Sequence, residues 1–237
     1  MSAGTSPQPK LAIVGYGRMG KLIEQLSREF GFQVALKLDI DNNVNGSGIT
    51  RENFREIQVA VEFSTPLVVV ENIERISALG VNLVVGTTGW FDQIERVRTA
   101  VARAGTGLVY SPNFSVGMQI FSRLVEAAAR CFQAQPDYDA WGYEIHHRMK
   151  KDAPSGTLLK LKEVMEKAGY SRPIDLASNR AGAIPGTHVI GFDSEADTIT
   201  LAHTARSRLG FARGAMKAAQ WVMGKKGVYE FSEVLFG

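Results

Sequence analysis

With a single cysteine, Cys131, in 237 residues, the chain has no internal disulfide and no multi-cysteine zinc site to draw on. That economy fits a reducing compartment, so the cytoplasm is the expected location. Any apolar run approaching the roughly 18 residues that span a bilayer is also missing. The first ten residues lack the apolar centre of a secretory signal, so no membrane partner is expected. Charge of one sign is scarce as well, since 27 basic side chains face 24 acidic ones and leave only +3. No basic run is interleaved with aromatics, and Trp90, Trp141 and Trp221 are too scattered to stack bases, so nucleic acid is not an expected partner. Internal repeats and low-complexity stretches are absent. What remains is an ordinary globular composition, 45% hydrophobic, long enough to build a core without staples.

Met1 to Pro9 reads as a disordered leader, and the apolar run Leu11–Val14 reads as a first strand ending in Gly15-Tyr16-Gly17-Arg18-Met19-Gly20. Leu22, Ile23, Leu26 and Phe30 recur at helical spacing, and Gly31 stops that helix. Strands follow at 33–40, 59–63, 81–85 and 107–110, with helices from Pro66 to about Leu79 and from Asp92 to Arg103 between them. The polar stretch 41–56 is too broken for a crossover helix. This alternation predicts an α/β fold, a Rossmann-like parallel sheet. After Pro112 and Asn113 come a helix at 116–132, a strand at 138–146, a helix at 155–168 and strands near 187–192 and 198–205. They predict an α+β substrate and oligomerisation domain with an antiparallel or mixed sheet over 114–205. A last helix, 209–223, would return the chain to a discontinuous dinucleotide-binding domain formed by 10–113 and 206–237.

Gly15-x-Gly17-x-x-Gly20 between a strand and a helix is a dinucleotide fingerprint in its required context. Glycine permits the tight turn and close approach to a pyrophosphate, and the helix start supplies free amides. Asp39, 19 residues beyond Gly20 and at the end of the second strand, can accept from a ribose 2′-hydroxyl. Gly86-Thr87-Thr88-Gly89 and Ser111-Pro112-Asn113-Phe114 follow the fourth and fifth strands and therefore fall on the same sheet edge. The densest chemistry is Glu144-Ile145-His146-His147-Arg148-Met149-Lys150-Lys151-Asp152-Ala153-Pro154-Ser155-Gly156-Thr157. Ser155 caps a helix whose first amides form an anion cradle, and basic side chains beside it suit a substrate carrying carboxylates. Lysine can anchor an anion or donate a proton, and histidine does acid-base work near neutral pH. On a strand His146 and His147 face opposite sides. No metal site is expected, since no carboxylate or cysteine cluster is seen to accompany the pair. His188 and His203 read as structural histidines, and Arg206 and Arg208, which could reach an anion or cap the hinge between domains, read first as plain surface arginines.

These motifs, in this order and from about Lys10 to the C-terminus, closely resemble the 4-hydroxy-tetrahydrodipicolinate reductase (dihydrodipicolinate reductase) family. The most specific part is Glu144-x-His146-His147-x-x-Lys150-x-Asp152-Ala153-Pro154-Ser155-Gly156-Thr157. The resemblance implies NADH and/or NADPH held by Gly15, Tyr16, Gly17, Arg18, Met19, Asp39, Gly86, Thr87, Thr88, Ser111, Pro112, Asn113 and Phe114. It implies His146 and Lys150 as the acid-base pair, and His147, Ser155, Gly156 and Thr157 as holders of a small dicarboxylate. A homotetramer built through the second domain's sheet is implied too. The glycine loop is one residue shorter than the family's common form, and Ile40 stands where some members carry arginine. The alternative readings are another NAD(P)-dependent dehydrogenase, of an amino acid or aldehyde, and a nucleotide-binding regulator without turnover.

Overall fold

The computed structural model describes residues 8–237. They divide into two compact units, one running through Ser115 and resuming at Phe211–Gly237, the other spanning Val116–Gly210. The expected leader lies outside the described residues except at Gln8 and Pro9, and the Pro9 carbonyl already accepts from the Gln33 amide.

In chain order the first unit opens with β1 (Lys10–Val14), α1 (Arg18–Ser27), β2 (Gln33–Leu38), β3 (Ile57–Glu62), α2 (Val69–Ala78), β4 (Asn82–Val85), α3 (Ile94–Ala104) and β5 (Gly107–Tyr110). The second holds α4 (Val116–Phe132), β6 (Asp139–His146), α5 (Gly156–Lys167), β7 (Ile174–Arg180), β8 (Thr187–Asp193) and β9 (Thr198–Thr204). Then α6 (Leu209–Val222), β10 (Gly227–Glu230) and α7 (Phe231–Phe236) complete the chain.

The first sheet is parallel throughout, in the order β10-β5-β4-β3-β1-β2. Its near-continuous apolar strands follow from burial on both faces. Ala12 and Val14 join the core beneath α2 and α3 with Val69, Ile73, Val97 and Val101, whereas Ile13 on the other face meets α1 at Gly20. The segment between β2 and β3 forms only a short 3-10 turn at Val44–Gly46, as its broken pattern predicts. The Rossmann-like parallel sheet is thus present. The terminal pair β10 and α7 was not anticipated, because the run after Lys225 and Lys226 is too short to carry a period.

The second sheet is mixed, in the order β7-β6-β8-β9, with β6 parallel to β7 and antiparallel to β8. One face is packed under α4 and α5 through Phe121, Val125, Leu158, Leu161, Ile190 and Phe192. Strand β7 was also missed by the sequence pattern. It lies at the sheet edge, and only Ile174 of its seven residues is fully buried, so Ile-Asp-Leu-Ala-Ser-Asn-Arg reads as a polar loop.

Candidate functional site

In the first unit, parallel strands bring the loops after β1, β2, β4 and β5 to one carboxyl edge. Gly15 has φ +90°, and a Cβ there would lie 2.3 Å from the Phe63 carbonyl oxygen, so only glycine fits. No atom comes within 4 Å of a Cβ built on Gly17, which is the uncapped N-cap of α1. Open space above uncapped helix amides fits a dinucleotide pyrophosphate. Arg18 is exposed and Met19 half-buried on the first turn of that helix.

Asp39 is exposed just past β2, its amide held by the Asn42 side chain at 2.7 Å. Lys37, two residues earlier, is engaged elsewhere. It donates to Glu24 at 3.0 Å and lies 4.9 Å from the Tyr16 ring centroid, while the Tyr16 hydroxyl also donates to Glu24. Thr87 is buried and donates to the Glu62 carboxylate at 2.6 Å, leaving Thr88 exposed beside Gly86. The Ser111 hydroxyl accepts from the Asn113 amide at 3.1 Å and donates to the Asn113 carbonyl at 2.9 Å, which closes the turn around exposed Pro112. Phe114 is buried, 4.9 Å between ring centroids from Phe231.

Glu62, at the end of β3, was missed as a functional candidate. It is wholly buried and accepts from the Ser64 amide and hydroxyl, from Asn72 at 3.3 Å and from Thr87. Burial raises its carboxyl above the usual range, since these uncharged donors only partly offset desolvation. The visible signal was a carboxylate closing the apolar run Val59-Ala60-Val61.

In the second unit, alternation along β6 places Glu144 and His146 on the buried face and leaves His147 half-buried beyond the strand end. Ser155 caps α5 by accepting from the Leu158 amide at 3.2 Å. Its own amide donates to Glu144 Oε1 at 2.8 Å and its hydroxyl donates to Oε2. Ser178 and Arg180 from β7 also donate to Oε1, each at 2.9 Å. Nδ1 of His146 lies 3.5 Å and Nε2 of His188 3.4 Å from Oε2. Burial alone would raise the Glu144 carboxyl, but Ser155, Arg180 and Ser178 outweigh it and hold it at about 2. Burial, then the neighbouring His146, holds His188 down to about 4, and burial lowers His146 below its usual value too.

Lys150 donates to both carboxylate oxygens of Asp152, at 2.8 and 2.9 Å. Gly156 is exposed and Thr157 half-buried at the start of α5. Gly186 packs against the imidazole so closely that a Cβ there would sit 2.8 Å from His146 Nε2.

One sequence-based premise changes: a carboxylate does accompany His146, and Glu144, His146 and His188, without His147, place ligand-type atoms within 4.8 Å of one another. Glu144 is already saturated by Ser155, Ser178 and the cationic Arg180, which makes the group a hydrogen-bonded network. His188 stands inside that network, 3.3 Å from the Ser155 hydroxyl. Arg180 gave no signal, because the strand that aims it was itself unread.

A parallel sheet with an open glycine turn, joined in one chain to a mixed sheet carrying a histidine-lysine cluster, defines a nicotinamide-nucleotide oxidoreductase of two units. Residues 9–114 match the family described as dihydrodipicolinate reductase, N-terminus, and residues 117–235 match its C-terminus. The chain belongs to the dihydrodipicolinate reductase family. It is 34% identical to a 4-hydroxy-tetrahydrodipicolinate reductase of Christiangramia forsetii over 95% of this chain and 97% of that one. A protein of the same description from Methylococcus capsulatus is 35% identical over 76% of this chain and 73% of its own. The solved dipicolinate-bound dihydrodipicolinate reductase of Paenisporosarcina sp. TG-14 shares the fold, with a TM-score of 0.79, 22% identity and coverage of 95% and 99%.

Proposed function

We infer that the protein reduces 4-hydroxy-tetrahydrodipicolinate to tetrahydrodipicolinate with NADH or NADPH, a step of lysine and diaminopimelate biosynthesis. The observation that carries this reading is the cluster at the end of β6, where His146, Lys150 and the capped start of α5 stand within one fourteen-residue segment of a family member.

When bound, the reduced nicotinamide supplies a hydride. The chain's own residues must anchor two carboxylates and deliver a proton to the ring after water is lost. His147 and the start of α5 at Gly156 and Thr157 serve as the carboxylate cradle, where the amides of a helix start favour anions. Ser155 shapes it as the cap while its own amide and hydroxyl stay on Glu144. His146 and Lys150 serve as the acid-base pair, and Lys150 exchanges Asp152 for a substrate carboxylate on binding. The dipicolinate in the solved relative, a planar dicarboxylate, supports a site of this kind. Gly15 to Met19, Asp39, Gly86 to Thr88 and Ser111 to Phe114 hold the dinucleotide, with Asp39 on the adenosine ribose.

The finer reading extends to assembly and place. The outer face of the mixed sheet presents Trp141, Tyr143, Ala177 and Val189 around an apolar depression of about 430 Å³, which supports homotetramer formation through this sheet. The cytoplasm is the compartment this reading assigns. No helix among the described residues is long and apolar enough to cross a membrane. The test is a coupled assay in which the freshly made cyclic imine dicarboxylate is supplied with either cofactor. Cofactor oxidation that depends on the imine supports the reading, and its absence with both cofactors defeats it.

A further inference from the structure

Among the described residues, Glu144 is the group that touches every part of the second unit's network. Its carboxylate meets α5 through Ser155, β7 through Ser178 and Arg180, and β8 through His188, and it lies beside His146 of its own strand. We propose that Glu144 is a positioning residue of the reduction, whose ionised carboxylate fixes the proton-donating His146 and the anion cradle of α5 as one unit. The proposal rests on the reading of His146 as the acid.

Three observations carry it. The Glu144 side chain is fully buried, yet it accepts from both the amide and the hydroxyl of Ser155, so the cap that opens α5 cannot shift without breaking two bonds. His146 Nδ1 is buried without a hydrogen-bond partner among the described residues, and the Glu144 oxygen 3.5 Å away is positioned to stabilise the protonated ring. Gly186 borders the opposite edge of that ring, where a Cβ would come within 2.8 Å of Nε2, so the missing side chain leaves room at the nitrogen that faces away from Glu144.

The charged groups around His146 act in opposite directions. Glu144 and, more weakly, Asp152 favour the imidazolium, while Lys150 and Arg180 disfavour it. His188, held neutral by burial, adds no positive charge near neutral pH. An opposite charge at this range moves a neighbour's titration by about one pH unit or more.

The experiment is the pH dependence of kcat/KM in the wild type, Glu144→Gln, Arg180→Gln and His146→Gln, with cofactor affinity measured alongside. If His146 is the acid, His146→Gln removes the alkaline limb, and a limb that persists there overturns the assignment beneath the proposal and the proposal with it. Given that control, Glu144→Gln is expected to move the alkaline limb to lower pH by about one pH unit and to raise KM for the dicarboxylate, with cofactor affinity unchanged. Arg180→Gln is expected to move the limb the other way. A lesion that only loosened the fold would reduce active fraction without displacing the limb in opposite directions. Unmoved limbs, or limbs that move together, overturn the role of Glu144. Should Glu144→Gln fail to fold, Glu144→Asp, which keeps the charge and withdraws it from the Ser155 cap and the ring, is the second variant: a raised KM with a limb displaced to lower pH supports the role, and an unchanged KM and limb overturn it.

Discussion

Lowering the pH from 7 to 5 should weaken the second unit through His188. Its side chain is 5% exposed, and burial holds the ring at about 4 against an unfolded value near 6.5. Between those values the unfolded chain binds the proton and the folded one does not, so stability is complete above about 6.5 and is lost as pH falls toward 4. Linkage with these two values gives a loss of about 2 kcal/mol between pH 7 and 5 from this group alone, in a total stability of roughly 5 to 15 kcal/mol. Urea unfolding of the wild type and His188→Gln at both pH values measures it, because every other titrating group largely cancels in the difference between proteins. The wild type should lose about 2 kcal/mol more than the variant. Equal losses would mean that His188 titrates freely in the folded state, and the buried network drawn around Glu144 would be wrong.

Other perturbations follow from the same geometry. Lys150→Ala removes a carboxylate partner and a proton donor, so turnover should fall about 10² to 10⁴-fold with cofactor affinity nearly unchanged, read by steady-state kinetics and cofactor titration. Asp39→Ala should improve NADPH relative to NADH by several-fold, roughly 1 kcal/mol at an exposed site. Glu24→Gln should add to that gain by releasing Lys37, as ratios of cofactor dissociation constants would report. Glu62→Ala strands the buried Thr87 and Asn72 donors and frees half-buried Ser64, costing about 1 to 3 kcal/mol per unsatisfied buried group and weakening dinucleotide binding. Because burial raises the Glu62 carboxyl, its contribution runs opposite to that of His188. It is present at low pH and lost as pH rises through the raised value, a loss that Glu62→Gln should abolish in thermal melts.

Regular periodicity carried most of the first unit. Strands at Leu11–Val14, 59–63, 81–85 and 107–110 are apolar because both sheet faces are covered, and Gly15 to Gly20 is legible because only glycine tolerates that turn. Legibility failed where burial is one-sided or where partners are far apart in sequence. Edge strand β7 shows little alternation, so Arg180 and Ser178 could not be placed near Glu144, 36 and 34 residues away. Nothing local in the sequence ties His188 to Ser155, 33 residues earlier, so its partners are not legible there. In sequence Glu62 is one polar residue closing an apolar run. Its four donors come from two loops and a helix that only the sheet brings together.

The central claim is that this chain moves a hydride from a nicotinamide to a cyclic imine dicarboxylate. The direct measurement is the isotope content of the product formed with cofactor dideuterated at C4 of the reduced nicotinamide, read by mass spectrometry and NMR. One deuterium on the product ring per cofactor oxidised is the expected result. Cofactor oxidation without deuterium in the product, or no oxidation when the imine is supplied, would contradict it.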